Sequence, residues 1–298
     1  MIIAKTIEEV RQHVREARAK GKNIGFAPTM GALHEGHASL FNCAKESLGE
    51  NGFVVASIFV NPTQFGPNED FDAYPRTEEA DLDICKHRGV DLAFLPSVEE
   101  MYPEGAKTTV KVAKLTSHLC GKSRPGHFDG VTTIVAKLFN IVTPDQAFFG
   151  EKDYQQVAVI AQMVKDLDMP IEIIPCPTVR EDDGLALSSR NAYLLPDQRE
   201  QATALCKSLA FACELAEIGD ATCEILEAMN FLISNQAHAG EIDYIHIVDA
   251  ETLEDLKYDE KPADHENPTR AIIAVKFGGC RLIDNAEIHP GSAANTEK

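Results

Sequence analysis

Short apolar segments alternate with amphipathic segments through residues 1–178, and this alternation restricts the fold more than any other feature of the sequence. Residues 6–20 open with Thr6 and carry Glu9 three positions later, which is the capping pattern of a helix start. NIGFAP then predicts a short strand, GHASLFNCAKESL a helix, and ENGFVVASIFVNP a buried strand. Strand, helix and strand in this order form a βαβ unit, which joins parallel strands.

The alternation continues to residue 178. We expect a helix over residues 77–88, followed in order by the strands VDLAFLP and TTVKV, the helix GVTTIVAKLFNIV, the strand QAFFG, the helix KDYQQVAVIAQMVKDL and the strand IEIIPCP. The fold class predicted for residues 1–178 is therefore α/β, with a Rossmann-like parallel sheet. In such sheets, ligands bind in the loops beyond the carboxyl ends of the strands.

The pattern changes after residue 178. Two helical stretches, residues 196–218 and 221–236, precede three β-rich segments, IDYIHIVD, RAIIAVKF and CRLIDNAEI. This order predicts a smaller α+β C-terminal domain over residues 179–298. Residues 257–270 within it are polar and contain proline, so we expect a mobile surface excursion there.

Charge and composition exclude several classes of function. The net charge of −19 argues against nonspecific binding to nucleic acid or anionic lipid, because such binding draws its affinity from Lys and Arg. No window approaches the ~18 consecutive apolar residues of a membrane span, and the N-terminus lacks a signal-peptide pattern, so we expect a cytoplasmic protein without a membrane partner. The 8 cysteines form no C-x-x-C pair, which favours reduced thiols. Residues 106–128 are basic and contain no acidic residue, as expected of a site for small anions or of a solvated loop.

Three common nucleotide or nucleophile motifs are missing. No G-x-G-x-x-G follows a strand, which disfavours a dinucleotide site. CGKSRPG resembles the end of a P-loop, but Thr116 occupies the position where that motif needs glycine. A G-x-S-x-G nucleophile elbow is also lacking.

The segment APTMGALHEGHASL places His34 and His37 three positions apart between a predicted strand and a predicted helix. Such spacing could serve a metal site, although no third ligand is indicated, or simple packing. A phosphate site explains more of the segment. Gly31 and Gly36 allow close approach of the backbone, the helix start offers unpaired N–H groups, and two imidazoles can donate hydrogen bonds to phosphate oxygens.

His34 to His37 spell H-x-G-H, which is similar to the signature of a nucleotidyltransferase superfamily. PTMGALHEGH, SIFVNPTQFGPNEDFDAYPRT, RPGHFDGV, FFGEKDYQQ and VREDDGLALSSRNAYL, in this order, closely resemble the motifs of the pantothenate synthetase (pantoate–β-alanine ligase) family. The resemblance implies an AMP-forming ligase. Pantoate and ATP would give pantoyl adenylate and pyrophosphate, and β-alanine would then attack to give pantothenate, the coenzyme A precursor, and AMP.

The resemblance also implies which residues form the site. The ATP-binding residues would be Met30, Gly31, Ala32, Leu33, His34, Glu35, Gly36, His37, Gly150, Glu151, Lys152, Asp153, Val179, Leu187, Ser188, Ser189 and Arg190. The catalytic residues among them would be His34, His37, Lys152, Ser188, Ser189 and Arg190. Gln64, Gln156 and Asn61 would bind pantoate and β-alanine.

The implied roles differ between stretches. His34 and His37 would contact phosphates, with His37 as proton donor, and Lys152 would supply a cation. Residues 187–190 would form a mobile phosphate loop, and residue 179 would reach adenine through its backbone.

Arg124 and His127, within the basic stretch, would face the cleft that binds ATP and pantoate. ATP would arrive as its Mg²⁺ complex, with no protein ligand for the metal identified, and the family is usually a homodimer. Two alternatives stay open: another H-x-G-H nucleotidyltransferase, which would retain the nucleotide in its product, and a non-catalytic nucleotide-binding regulator.

Overall fold

The computed structural model describes residues 1–67, 69 and 71–288. Contacts between Cα atoms divide the chain into two compact units, Met1–Thr178 and Val179–Lys298. The helices and strands of the first unit are β1 (Ile2–Ala4), α1 (Ile7–Ala19), β2 (Asn23–Thr29), α2 (Glu35–Leu48), β3 (Gly52–Ile58), α3 (Glu78–His87), β4 (Leu92–Phe94), α4 (Val98–Met101), α5 (Cys120–Ser123), α6 (His127–Val142), β5 (Gln146–Gly150), α7 (Tyr154–Asp166) and β6 (Glu172–Cys176).

The strands of the first unit form one parallel sheet in the order β1-β4-β3-β2-β5-β6. The chain proceeds outward from β2 through β3 to β4, and then returns to place β5 on the other side of β2. β2 and β5 therefore meet at the topological switch point, where the loops after two neighbouring strands diverge and leave a crevice. The predicted α/β fold class is confirmed.

Local sequence signals account for the first helix and for the apolar core. Thr6 and Glu9 form the predicted reciprocal cap: the Glu9 amide donates to Thr6 Oγ1 over 3.3 Å, and the Thr6 amide donates to Glu9 Oε2 over 3.0 Å. Phe26 of β2, Phe139 of α6 and Phe148 of β5 are almost fully buried. The rings of Phe26 and Phe139 meet edge to face with centroids 6.3 Å apart, so α6 packs directly against the central strand β2.

The predicted strand TTVKV is wrong, because residues 105–113 contain no strand in the described structure. Two threonines of α6 occupy the hydrogen-bonding groups that a neighbouring strand would have used. The Val110 amide donates to Thr133 Oγ1 over 2.9 Å, and Thr132 Oγ1 donates to the Val110 carbonyl over 2.7 Å. The edge strand β1, in contrast, was not predicted.

The second unit combines helices with an antiparallel sheet in the order β7-β8-β9. Its elements are α8 (Pro196–Ala202), α9 (Ala204–Ile218), α10 (Thr222–Gln236), β7 (Gly240–Asp249), β8 (Thr269–Phe277) and β9 (Cys280–Glu287). The single helix predicted over residues 196–218 is interrupted at Thr203. Leu209 of α9, Met229 of α10 and Ile273 of β8 lie in its buried core.

Candidate active site

The loop over residues 30–34 leaves the end of β2 at the switch point and enters α2. Thr29, the last residue of β2, donates from Oγ1 to the Ser57 carbonyl of β3 over 2.8 Å and accepts the Gly31 amide over 3.3 Å. Gly31 and Ala32 both adopt positive φ, at 84° and 50°. Glycine takes this conformation readily, whereas alanine does so only when its surroundings impose it.

Asp81, from α3, holds this loop. Its Oδ2 accepts the Ala32 amide over 3.0 Å, and its Oδ1 accepts the Leu33 amide over 2.8 Å and the Thr77 hydroxyl over 3.0 Å. Asp81 was not predicted as a site residue, since among the acidic residues that open α3 it looks like an ordinary first-turn carboxylate. The only local hint is Thr77 four positions earlier, and such pairs are common on solvent-exposed helices.

His34 and His37 cap the start of α2 reciprocally. The Gly36 amide donates to His34 Nδ1 over 3.1 Å, and the His34 amide donates to His37 Nδ1 over 3.3 Å. The two ring centroids are 4.2 Å apart. The imidazoles thus occupy the positions that Ser or Thr and Glu hold in an ordinary capping box. The spacing of three, which could suit a metal, serves the helix cap.

The same hydrogen bonds set the protonation of both rings. An Nδ1 that accepts a backbone N–H carries no proton, so the neutral rings of His34 and His37 each carry their proton on Nε2. Burial, reinforced by the neighbouring His34, lowers the pKa of His37 to about 3. Burial and the Lys152 ammonium also lower the pKa of His34. At neutral pH the pair therefore offers two neutral Nε2–H donors.

Lys152 and Asp153 approach the histidines from the other side of the switch point. They lie in the 3₁₀ turn Glu151–Asp153, directly after β5, which pairs with β2 from Gly25 opposite Gln146. Lys152 Nζ lies 3.6 Å from Asp153 Oδ2. Because β2 and β5 are neighbours, the segments that follow them lie side by side, and the Lys152 charge acts on His34.

Gln64 and Asn61 form a wall beside this loop. Gln64 Oε1 accepts Asn61 Nδ2 over 3.0 Å, and its Nε2 points to Met30 Sδ at 2.9 Å. The Asn61 side chain is buried, and its Oδ1 also accepts the Tyr102 hydroxyl over 2.8 Å. Asn61 is thus engaged with the protein and fixes the Gln64 amide, whose NH₂ group points to Met30 in the loop over residues 30–34.

Arg124 and His127 support the same wall from behind. His127 Nδ1 donates to the Gln64 carbonyl over 2.8 Å, and Arg124 Nη1 donates to His127 Nε2 over 3.0 Å. Arg124 also forms a bidentate pair with Glu69 over 2.7 and 2.6 Å. Burial, together with the Arg124 charge, lowers the pKa of His127 to about 4, so His127 is neutral at pH 7.

The two glutamines of KDYQQ differ sharply. Gln155 is buried, accepts the Cys120 amide over 3.0 Å and donates to the carbonyls of Leu115 and His118 over 2.8 and 2.9 Å. It therefore anchors the basic stretch. Gln156, the predicted pantoate ligand, is half-buried, and its side chain has no hydrogen-bond partner within the described part of the chain.

The predicted phosphate loop lies in the second unit. The Leu187 amide donates to the Val179 carbonyl over 2.9 Å, which closes a hairpin that turns at Gly184 with φ 89°. Ser188 Oγ then accepts the Arg190 amide over 3.2 Å and caps the 3₁₀ turn Ser189–Tyr193. Hydrogen bonds thus join the two sides of the hairpin and cap the turn that follows it.

Ion pairs fix this hairpin to its own unit. Arg180 forms a bidentate pair with Asp284 of β9 over 2.7 and 3.0 Å, and Asp284 is buried. Arg199 of α8 pairs with Asp183 and Glu181 over 2.7 and 2.8 Å. Burial alone would lower the pKa of Arg180, but its bonds with Asp284 raise it overall.

Among the described residues, no group of three or more His, Cys, Asp or Glu side chains could hold a metal ion. No helix among the same residues is long and apolar enough to cross a membrane.

Comparison with known proteins identifies the family. A family profile described as pantoate-beta-alanine ligase matches residues 2–287. The chain belongs to the pantoate–β-alanine ligase family. A pantothenate synthetase of Acetivibrio thermocellus is 52% identical over 96% of this chain and 98% of the relative, and one of Aquifex aeolicus is 48% identical over 96% and 99%.

Solved structures agree with this family assignment. A pantothenate synthetase crystal structure from Thermus thermophilus matches with a TM-score of 0.89 at 46% identity, over 97% of this chain and all of the other. A pantoate-beta-alanine ligase from Francisella tularensis, crystallised with beta-gamma ATP and beta-alanine, matches with a TM-score of 0.76 at 38% identity, over 97% and 98%. The predicted family, and with it the enzyme class of a pantoate–β-alanine ligase, are confirmed.

Proposed function

We propose that the protein joins pantoate to β-alanine in two steps that use ATP. The pantoate carboxylate first attacks the α-phosphorus of ATP, which gives pantoyl adenylate and releases pyrophosphate. The β-alanine amine then attacks the acyl carbon, a C–N bond forms, the C–O bond to AMP breaks, and the amine gives up its proton. This route turns a poorly electrophilic carboxylate into an acyl group with a good leaving group.

The observation that carries this proposal is the reciprocal histidine cap at the switch point. Two neutral Nε2–H donors, His34 and His37, stand at the start of a helix, and Lys152 lies within electrostatic reach of them. Preorganised donors of this kind stabilise the negative charge that develops as pyrophosphate departs. Since His37 is neutral, we assign it hydrogen-bond donation to phosphate instead of the proton donation expected from the family resemblance.

The other ATP contacts follow the implied pattern. Lys152 supplies the positive charge that contacts the phosphates, and Asp153 binds the ribose. Gly150 and Glu151 contribute to the same wall of the ATP site. The backbone of residue 179 contacts adenine. Ser188, Ser189 and Arg190 donate to phosphate oxygens. In support of this role, the Arg190 amide donates to Ser188 Oγ, which caps the turn Ser189–Tyr193 and fixes the backbone that carries all three side chains. Closure of residues 179–298 over the nucleotide completes the proposal.

Gln64 and Gln156 bind pantoate. The fixed Gln64 amide presents its NH₂ group, which suits the oxygens of pantoate without neutralising the carboxylate that must attack phosphorus. Asn61 acts by orienting Gln64 and not by direct contact with substrate. ATP binds as its Mg²⁺ complex, held mainly by phosphates and water. We place the reaction in the cytoplasm and expect a homodimer.

A drop-out assay tests the reaction. ATP, Mg²⁺, pantoate and β-alanine are supplied with one omitted at a time, and nucleotides and organic products are followed by chromatography. We expect AMP and pantothenate only from the complete mixture, together with pantoate-dependent exchange of pyrophosphate into ATP. Formation of ADP would contradict the adenylate route, and a product that retains the nucleotide would favour another H-x-G-H nucleotidyltransferase.

A further inference from the structure

The nucleotide loop is held in a conformation that its own sequence does not favour. Ala32 has φ 50°, and a left-handed conformation costs a non-glycine residue roughly 1–2 kcal/mol. At Gly31 an added Cβ would lie 3.0 Å from Asp81 Oδ2 and 3.2 Å from Ile58 Cγ2, so the backbone passes close to both neighbours. Contacts outside the loop must therefore maintain its shape.

Asp81 supplies the principal contact of this kind. Its side chain is 1% exposed, and each carboxylate oxygen takes one loop amide, at 3.0 Å for Ala32 and 2.8 Å for Leu33. Thr77 donates a third hydrogen bond over 3.0 Å. Within the described chain no Lys or Arg pairs with this carboxylate, so neutral donors balance it. A buried carboxylate balanced by two amides holds them firmly, because releasing either would leave charge unsatisfied.

The segment that Asp81 holds, Ala32–Leu33, leads directly to His34 and His37. Leu33, whose amide Asp81 accepts, immediately precedes His34, and His34 caps α2 and fixes His37. Any shift of the Ala32–Leu33 peptide moves both Nε2–H groups relative to the phosphates. Misplacement of a catalytic group by about 1 Å can cost about 10²-fold in rate.

We propose that Asp81 is a positioning residue for nucleotide activation: it imposes the left-handed turn at Ala32 and thereby sets where the two imidazole donors stand. This inference rests on the proposed function for its kinetic readout only. The carboxylate lies on α3, behind the loop amides, and acts through them without contacting substrate. Its negative charge, although close to an anion site, is screened by the two N–H groups that it accepts.

The first variant is Asp81→Asn, which keeps the shape but replaces one acceptor oxygen with an NH₂ group that faces a backbone N–H. We expect kcat/KM for ATP to fall about 10- to 100-fold, while the protein remains folded by circular dichroism. Asp83→Asn, an exposed carboxylate two positions along α3, is the matched control and should retain wild-type kinetics. Thr77→Val removes only the third hydrogen bond and should give a smaller fall in the same direction.

Hydrogen exchange separates positioning from general stability. In Asp81→Asn the amides of Ala32 and Leu33 should exchange at least about 10-fold faster, while the amides of β2 and β3 exchange as in the wild type. Wild-type exchange at these two amides together with wild-type kcat/KM for ATP would overturn the inference. A loss of activity that merely follows the folded fraction, with KM for ATP unchanged, would also overturn it.

A double-mutant cycle sharpens the test. Ala32→Gly lowers the cost of positive φ, so Asp81→Asn should reduce kcat/KM for ATP less in that background than in the wild type. Equal effects in both backgrounds would contradict the proposed mechanism. If Asp81→Asn fails to fold, Thr77→Val and the same exchange measurement decide the matter. If the wild type does not turn over, the proposed function fails, whereas exchange of the two amides still tests the clamp.

Discussion

The two loops assigned to ATP are held by opposite physical means. Residues 30–37 depend on hydrogen bonds to the buried Asp81 carboxylate and between the half-buried, neutral imidazoles of His34 and His37. Residues 179–190 depend on ion pairs, with Arg180 on Asp284 and Arg199 on two carboxylates. The first arrangement fixes the positions of the hydrogen-bond donors. The second holds a hairpin in place through ion pairs whose groups are partly exposed to water.

This difference fits the different roles proposed for the two loops. Groups that stabilise developing charge act best when they are preorganised and dry, since water would otherwise weaken them. A loop proposed to admit and release ATP can also use ion pairs that reach water, such as those of Arg199, which are screened by salt. We therefore expect changes in the first loop to appear in rate and changes in the second to appear in stability and nucleotide affinity.

The largest effect should come from His37. His37→Ala removes one preorganised Nε2–H donor and should lower kcat about 10²- to 10³-fold. His37→Gln keeps a neutral N–H donor and should lose about 10-fold or less, measured by steady-state release of AMP. His87→Ala, which removes an exposed imidazole from α3, is the control and should act as wild type.

The pH dependence distinguishes a neutral donor from an acid. The pKa of His37 in the folded protein is about 3, far below its reference value of 6.5, so the ring is neutral above about pH 5. Its contribution to stability is present above pH 6.5 and is lost as pH falls toward 3, because the unfolded chain then binds the extra proton. Between pH 5 and 8, His37→Gln should share the wild-type pH profile of kcat. A limb near pH 6 that disappears in His37→Gln would show instead that His37 transfers a proton.

The histidine site shows how far sequence reasoning reaches. The H-x-G-H spacing and the flanking glycines predicted an anion site after a strand, and the strand order brings these residues to the switch point with Lys152. These features are local or follow from the βαβ pattern. The sequence did not predict that each Nδ1 would be occupied by a backbone amide, because this depends on the rotation of both rings in the folded loop.

Asp81 and TTVKV show where such reasoning ends. Asp81 reaches its loop from a helix that starts more than forty residues later, and no periodicity encodes a side chain that binds distant amides. TTVKV has the composition of a strand, but Thr132 and Thr133 satisfy the backbone at Val110 from α6. Tertiary hydrogen bonds thus overrode a valid local propensity.

The second-largest effect should come from Arg180, in the loop held by ion pairs. Arg180→Met leaves the buried Asp284 carboxylate without its cation and should lower the free energy of unfolding by about 2–3 kcal/mol in denaturant titrations. KM for ATP should rise, while kcat changes less than in His37→Ala. Arg15→Met removes an arginine from an exposed pair with Glu8 and should change stability by less than about 0.5 kcal/mol. If Arg180→Met lowered kcat as much as His37→Ala does and left the free energy of unfolding unchanged, the distinction between the loops would be contradicted.

The smallest effect concerns a charged contact away from the ATP loops, within residues 257–270. His265 contacts Glu260 through Nδ1 and Asp249 through Nε2, the latter over 2.9 Å. Hydrogen bonds to Glu260 and then to Asp249 raise the pKa of His265, since only the imidazolium can donate from both nitrogens. The stabilisation is complete below pH 6.5 and is lost as pH rises through the raised pKa, because the folded state then releases its extra proton.

This contact gives the converse of the His37 experiment. His265→Gln should lower Tm by a few degrees at pH 6 and by less at pH 8.5, and should leave kcat unchanged at both values. His246→Gln is the control, since His246 makes an exposed contact with Asp255 in the same unit. A Tm difference that is independent of pH would mean that His265 acts as a neutral group. Residues 257–270 would then follow the same rule as residues 30–37, because an uncharged imidazole would hold each of them.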